Sequence, residues 1–335
     1  MSTVRDIAAK ARVSISTISL VFNHPERVKD ETRQRILAIA KELQYRPHGI
    51  ARDLRIRKTD MIAVLLHHLS GPFYSELIHG VVDQATQYGL TAIVLQGARQ
   101  PGGPLRLLHE RRVDGAIVLD PAVSAPMLTQ YASTDLPIVV LDRHFSVGSE
   151  YISPVVSDHE EGGYLAGRYL LSLGRQKFGL LLGPEDSTDS QMRQKGFYRA
   201  LTEAGYNPKT IPTAHGGFTE EGGIMAMQQI LAHKPKLDAL FSTNDEMAIG
   251  AMQVFANRGI NVPDDIAIIG FDDIRLSRYV KPSLTTIRQP MYDLGQAAMA
   301  RLYAMLHGQT QLPPMILPVE LIVRQSTPKP TPVQR

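Results

Sequence analysis

Val4, Ile7, Ala8 and Ala11 recur at spacings of three and four, the apolar stripe of a short amphipathic helix. Arg12-Val13 breaks the stripe, and Ser14 suits an N-cap because its hydroxyl accepts from a free backbone N–H. A second stripe follows in Ile18, Val21 and Phe22, which turns Ile15, Ser16, Thr17 and Leu20 outward. A third helix over about 30–43 supplies Ile36, Ile39, Ala40 and Leu43 to close a small core. Two short helices meeting at a tight turn, backed by a third, predict a helix-turn-helix.

From Asp60 onward the period changes. Strand-length apolar runs (Met61–Leu66, Leu90–Leu95, Ala116–Leu119, Ile138–Leu141) alternate with amphipathic helical windows. A second series follows: Phe178–Leu182, Ile211–Pro212, Ala239–Phe241 and Ile266–Ile269. Alternation of this kind predicts right-handed βαβ units, and two series predict two doubly wound lobes of parallel sheet. The fold class is α/β, with an all-α helix-turn-helix headpiece before a two-lobed core. Ligands of such sheets bind beyond the carboxyl ends of the strands, so the residues after each strand are the candidates for a site.

Charge sharpens this division. Residues 1–60 hold 13 of the chain's 36 Lys/Arg and 7 of its 33 Asp/Glu, leaving 23 against 26 for the rest. The net charge of +3 therefore hides a head of +6 on a body of −3. A basic head suits phosphate contact, where each neutralised phosphate releases counterions. No apolar run reaches the length of a membrane span. The start is polar and helical, which predicts no signal peptide and a cytoplasmic protein. With no Cys among 335 residues, disulfide scaffolds and thiolate metal sites are excluded. No P-loop, nucleophile elbow or dinucleotide fingerprint follows a strand, which argues against an enzyme. His67, His68, His144, His159 and His215 lack metal-site spacing and read as surface or hydrogen-bonded histidines, so neither metal nor cofactor is expected.

The blocks VRDIAAKARVSISTIS, LQYRPHGIARDLR, RVDGAIV, EGGYLAGRYLLSLG, STNDEMAIGAM and VPDDIAIIGFDDI with SLTTIRQP stand in one order over residues 3–326. On these the chain resembles the lactose-repressor/galactose-repressor (LacI/GalR) family of bacterial transcription factors. The resemblance implies a headpiece over 1–46, a hinge helix over 47–59 and a periplasmic-binding-protein-like core over 60–326. The expected N-lobe takes 60–158 and 290–318, the C-lobe 159–289 and 319–326, and a Pro-rich tail runs over 327–335. It also implies a repressor that binds a near-palindromic operator as a homodimer, with a small ligand between the lobes altering operator affinity. The tail cannot form the apolar heptad helix of a tetramer.

Carried onto this chain, the resemblance puts Ile15 and Ser16 where the recognition helix reads bases and Thr17 at base or phosphate. Thr3, Ser14, Asn23 and Arg27 complete the expected DNA face. Leu20 stands where many relatives carry arginine, and Arg12 where a turn glycine is common. Leu20 cannot donate to guanine, but it can contact a thymine methyl. In the hinge, Leu54 matches a minor-groove wedge, Ala51 permits close helix approach, and Arg52 and Arg55 meet phosphates. Around the cleft, Phe73 and Tyr74 follow the first core strand, and Asp158 sits at the first crossing between lobes. Arg193 matches a ligand-gripping arginine, with Asp189 and Ser187 upstream setting the ligand class. Phe218 offers a stacking ring, Asn244 ends a strand, and Asp272 accepts from ligand hydroxyls or ring N–H groups. Asp245 has the plainer reading of a helix cap. Charged and hydroxyl-matching groups around an aromatic platform favour a sugar over a nucleobase or nucleoside. The departures at Leu20 and Arg12 leave open a sugar sensor that has lost DNA specificity.

Overall fold

The computed structural model describes residues 3–23, 25–45, 58–97, 103–143 and 149–328. Contacts divide the chain into two compact units, residues 1–59 and 60–335.

In the first unit, α1 (Val4–Ala11) starts at a capping box. Asp6 N donates to Thr3 Oγ1, and Thr3 N donates back to the Asp6 carboxylate at 2.7 Å. Arg12 ends α1 in the left-handed region (φ 52°, ψ 48°), a conformation that costs an L residue roughly 1 kcal/mol. That explains why a glycine suits the position: the turn needs a positive φ. Ser14 Oγ then accepts from Thr17 N at 3.1 Å to open α2 (Ile15–Asn23), and α3 (Asp30–Glu42) packs across both. Ile7, Ile18 and Ile36 are fully buried at the centre, each stabilising by about 1.5–3 kcal/mol. Ala8, Ala11, Val21 and Ala40 fill around them, with Val4, Phe22, Ile39 and Leu43 packed at the margin.

The second unit holds two six-stranded sheets built to one plan. The first has the order β11-β5-β4-β3-β1-β2: Met315–Leu317, Ile152–Ser157, Ile138–Leu141, Gly115–Leu119, Met61–Leu66 and Thr91–Gln96. The second has the order β12-β10-β9-β8-β6-β7: Glu320–Ile322, Thr285–Arg288, Ala267–Asp272, Ala239–Ser242, Phe178–Leu182 and Thr213–His215. All neighbours pair in parallel except β12, which runs antiparallel to β10, whereas β11 is parallel to β5. Helices α4 (Pro72–Gln87), α5 (Leu105–His109) and α6 (Ala125–Tyr131) belong to the first lobe, joined by α11 (Met291–Leu306). The second lobe carries α7 (His159–Ser172), α8 (Thr188–Glu203), α9 (Glu220–Ala232) and α10 (Asp245–Asn257). Each sheet has an apolar cluster on both faces, which is why its strands read as continuous apolar runs. The chain crosses between lobes after β5, after β10 and between β11 and β12.

One expected strand shifts, and four strands went unread. The strand expected at Ile211–Pro212 begins instead at Thr213, because Pro212 has no N–H and serves only through its carbonyl, which accepts from Leu180 N. β5 went unread because Pro154 interrupts its run, and a proline argues against a central strand. β10, β11 and β12 are only three or four residues long. Among the described residues, no helix is long and apolar enough to cross a membrane.

Candidate ligand cavity and DNA-reading face

A cavity of about 460 Å³ opens beyond the carboxyl ends of both sheets. Strand-to-helix turns of both lobes contribute: His67-His68 after β1, Asp120 after β3 and Asp142-Arg143 after β4 from the first lobe. The second lobe gives Ser187 and Asp189 after β6, Phe218 after β7, Asn244 after β8, Asp272 at the end of β9, and Gln289 after β10. Such a volume lies in the range of small-molecule sites.

Arg193 is the centre of the arrangement, and two glycines put it there. A Cβ on Gly163 of α7 would lie 1.9 Å from the Arg193 carbonyl oxygen, and one on Gly196 of α8 would lie 1.8 Å from that of Glu160. Their bare Cα atoms let the two helices touch backbone to backbone, which fixes where the arginine leaves α8. Its guanidinium is buried, stands 3.8 Å over the Phe271 ring, and donates through Nη1 to the Thr243 carbonyl and to Asp272 Oδ1 at 3.4 Å. Nη2 lies 3.6 Å from Asp189 Oδ2, and Phe218 flanks the cation at 5.7 Å.

The two acids beside Arg193 are shifted in opposite directions. Burial pushes the Asp272 carboxyl well above the usual carboxylate range, against the pull of Arg193. At Asp189 burial works in the same direction, yet the Arg193 charge, His159 and the Ser187 hydroxyl outweigh it and hold the group below its ordinary value. Asp189 is thus the ionised partner of the arginine, and Asp272 is held toward its protonated form, where it can donate as well as accept. Asp272 and Asp273 have φ of 118° and 59°, backbone conformations that cost non-glycine residues energy and concentrate at functional sites. Gln289 Nε2 holds the first through a 2.6 Å hydrogen bond, while Arg288 and Arg324 hold the second.

Phe73, Tyr74, Asp189, Arg193, Phe218, Asn244 and Asp272 all line the cavity. Phe73 and Tyr74 meet edge to face at 5.3 Å, and burial together with the surrounding aspartates pushes the Tyr74 phenol up, so it stays a donor. Phe218 is kept in a left-handed conformation (φ 65°), with its carbonyl accepting from Asn244 Nδ2 at 3.0 Å. Asp158 is a correction: it caps α7, accepting from Glu161 N at 3.0 Å, and does not line the cavity. The cap of α10 is Asn244, which accepts from Met247 N at 3.0 Å. Asp245 is not a cap but a fully buried carboxyl, accepting from Ser277 Oγ and Thr286 Oγ1 at 2.6 Å and Ile274 N at 3.0 Å. Despite those donors, burial pushes it up to about 7.

Sequence reasoning missed a chain of buried polar groups between the lobes. Asp142, at the end of β4, accepts from Ser157 N at 3.0 Å, and the same oxygen lies 3.0 Å from His159 Nε2 on α7. His159 Nδ1 accepts from Arg193 Nε at 3.3 Å, which ties the ring to the arginine of the second lobe. Nothing in the local sequence marks His159: its role comes from the crossing of two lobes. His67 and His68, read as surface or hydrogen-bonded groups, line the cavity, with His67 Nδ1 3.5 Å from Asp120. Among the described residues no cluster could hold a metal ion.

In the headpiece, Ile15 is 51% exposed at the start of α2 beside exposed Ser14 and Ser16. The Ser14 hydroxyl contacts those of Ser16 and Thr17 at 2.6 and 2.8 Å, a polar cluster at a helix N-terminus, where backbone dipoles favour phosphate. Thr17 and Leu20 are half-buried, and Leu20 lies outside the headpiece core. Thr3 is exposed in its capping box, and Arg27 is exposed in a 3₁₀ turn at Pro25–Arg27. The backbone of Asn23 ends α2; its side chain, and Ala51, Arg52, Leu54 and Arg55 of the expected hinge, lie outside the described residues.

Residues 3–48 match the model of bacterial regulatory proteins of the lacI family, and residues 168–327 match a periplasmic binding protein-like domain. The repressor PurR of Pectobacterium carotovorum is 36% identical over 308 residues, covering 90% of this chain and 89% of its own. The chain belongs to the LacI family. Catabolite control protein A of Priestia megaterium is 34% identical over 330 residues, with 97% and 99% coverage. Among solved structures, the Lac repressor dimer bound to operator and an anti-inducer superposes with a TM-score of 0.82 at 29% identity, covering 97% of this chain and 99% of that one. A CelR–cellobiose complex gives 0.71 at 29% identity, with 97% and 100% coverage. A family regulator from Enterococcus faecium with bound ribose gives 0.74 at 30%, with 81% and 99% coverage. These relatives are transcriptional regulators, not enzymes, and this LacI-family chain is likewise a DNA-binding regulator with a ligand-binding core.

Proposed function

We propose that the protein is a cytoplasmic repressor that binds a near-palindromic operator as a homodimer and responds to a sugar held between the lobes. The headpiece reads DNA through Ile15, Ser16 and Thr17, with Thr3, Ser14, Leu20, Asn23 and Arg27 around them. Residues 47–59 act as a hinge helix that orders on DNA, with Leu54 as its minor-groove wedge and Ala51, Arg52 and Arg55 beside it. Coupled folding of such a segment is how a distant ligand changes operator affinity.

The observation that carries the effector reading is the buried Arg193, clamped by Asp189 and Asp272 with Phe218 and Phe271 on its faces. Planar donors, carboxyls and rings at one point suit a ligand with several hydroxyls and an apolar ring face. The cellobiose and ribose complexes of relatives support the same class. A purine or nucleoside is the second reading, favoured by the PurR relatives. The test is selection of genomic DNA fragments by the full chain, with an Ile15→Ala/Ser16→Ala variant as control. Enrichment of one near-palindrome that the variant loses is expected. Enrichment of nothing, with or without sugars, supports the sensor without DNA specificity instead.

A further inference from the structure

Among the described residues the cavity lining carries eight carboxyl groups against two guanidiniums, and from this excess we infer the charge class of the effector. It is a saccharide without anionic groups, and its amine-bearing forms bind best, with the nitrogen at Glu246. This inference rests on the cavity being the effector site.

Both arginines in the lining already donate to groups of the protein. Arg193 is divided among the Thr243 carbonyl, Asp189 and Asp272. Arg143 donates through Nη2 to the Val123 and Asp120 carbonyls, at 2.9 and 3.4 Å. No lysine reaches the cavity among the described residues. A phosphate or carboxylate entering here brings charge and further acceptors into a lining where carboxyl groups already outnumber guanidiniums.

Two acceptors wait for donors. Gln289 is 2% exposed and gives its amide N–H to Asp272, which leaves Oε1 a buried acceptor with no partner. An acceptor in that condition is costly until a hydroxyl or N–H reaches it. Also in the lining, Glu246 is half-buried and has neither ion pair nor hydrogen bond among the described residues. Burial and then the neighbouring Glu220 and Glu221 charges push its carboxyl up. A ligand ammonium there relieves that repulsion and supplies three donors.

Titration calorimetry of the full chain with matched ligands tests this: glucose, glucosamine and glucose 6-phosphate; ribose and ribose 5-phosphate; adenosine and its 5′-monophosphate. Glucosamine is expected to bind several-fold more tightly than glucose, and each phosphate about tenfold or more weakly than its parent. In Glu246→Gln the glucosamine-to-glucose affinity ratio is expected to fall to about one. A phosphate that binds as tightly as its parent overturns the charge rule and leaves the sugar reading intact. Binding of adenosine alone, with its phosphate rejected, overturns the sugar reading and keeps the charge rule. A ratio unchanged in Glu246→Gln removes the amine contact, and no binding by any member at millimolar concentration overturns the inference whole.

Discussion

The two lobes of the core share one topology and divide the chemistry unequally. The sheets correspond in strand order and differ only in the direction of β11 and β12, and close helix pairs in both rest on glycines: Gly80 and Gly295 bring α4 onto α11, as Gly163 and Gly196 bring α7 onto α8. Yet the buried arginine, its two acids and the strained strand end all sit on the second lobe. The first lobe offers Phe73, Tyr74, His67 and His68, with Asp120, Asp142 and Arg143 bonded to its own chain. A repeated scaffold therefore says where a site lies, while the side chains at its strand ends decide which half grips. The second lobe is the preorganised clamp, and the first is its cover.

The largest expected effect is at Arg193. Arg193→Ala leaves the half-buried Asp189 without its cation and the buried Asp272 and Thr243 carbonyl without their donor, and removing one partner of a buried pair costs about 3–5 kcal/mol. Chemical denaturation of the core should show that loss, and calorimetry should show no effector binding. Full binding by the variant would break the division between clamp and cover.

Next is Asp245, which braces the clamp lobe from below. Its folded value of about 7 lies above its ordinary 3.8, so the folded state holds the proton more tightly than the unfolded one. The stability this gives is complete below the ordinary value and is lost as pH rises through 7. Asp245→Asn carries no titrating proton, so the stability difference between wild type and variant should shrink by roughly 4 kcal/mol from about pH 4 to 7. A difference flat with pH would contradict the buried carboxyl.

Phe73→Ala is expected to weaken effector binding by about tenfold, near 1.4 kcal/mol, with little change in core stability, because the ring is a half-buried cover. A loss equal to that of Arg193→Ala would place the grip on the first lobe as well. The smallest effect concerns the headpiece: Leu20→Arg should change the preferred half-site by about 1–3 kcal/mol at one base pair and leave overall affinity close to that of the wild type. Selected DNA fragments would reveal an unchanged consensus if Leu20 faces away from the groove.

What the sequence made legible was what is periodic. The three headpiece helices and the long strands of both sheets stand out because one face, or both, must be apolar. β5 was hidden by Pro154, and β10 to β12 by their length. Arg193 and Asp272 were legible through motif resemblance, but their difference in company was not, since it depends on Asp189, Gln289 and Asp245 meeting from separate elements. The same holds for His159, whose partners Asp142 and Arg193 lie on different lobes. Asp158 misled because an acid at a crossing point looks like a ligand group, while an acid before a helix is satisfied by capping it.

The central claim is that a ligand gripped by Arg193 changes how the headpiece holds DNA. Its most direct measurement is the affinity of the full chain for its selected operator, with and without glucosamine, in wild type and Arg193→Ala. The account predicts a glucosamine-dependent shift in the wild type and none in the variant, both proteins binding operator in the absence of sugar. An equal shift in the two proteins would contradict it.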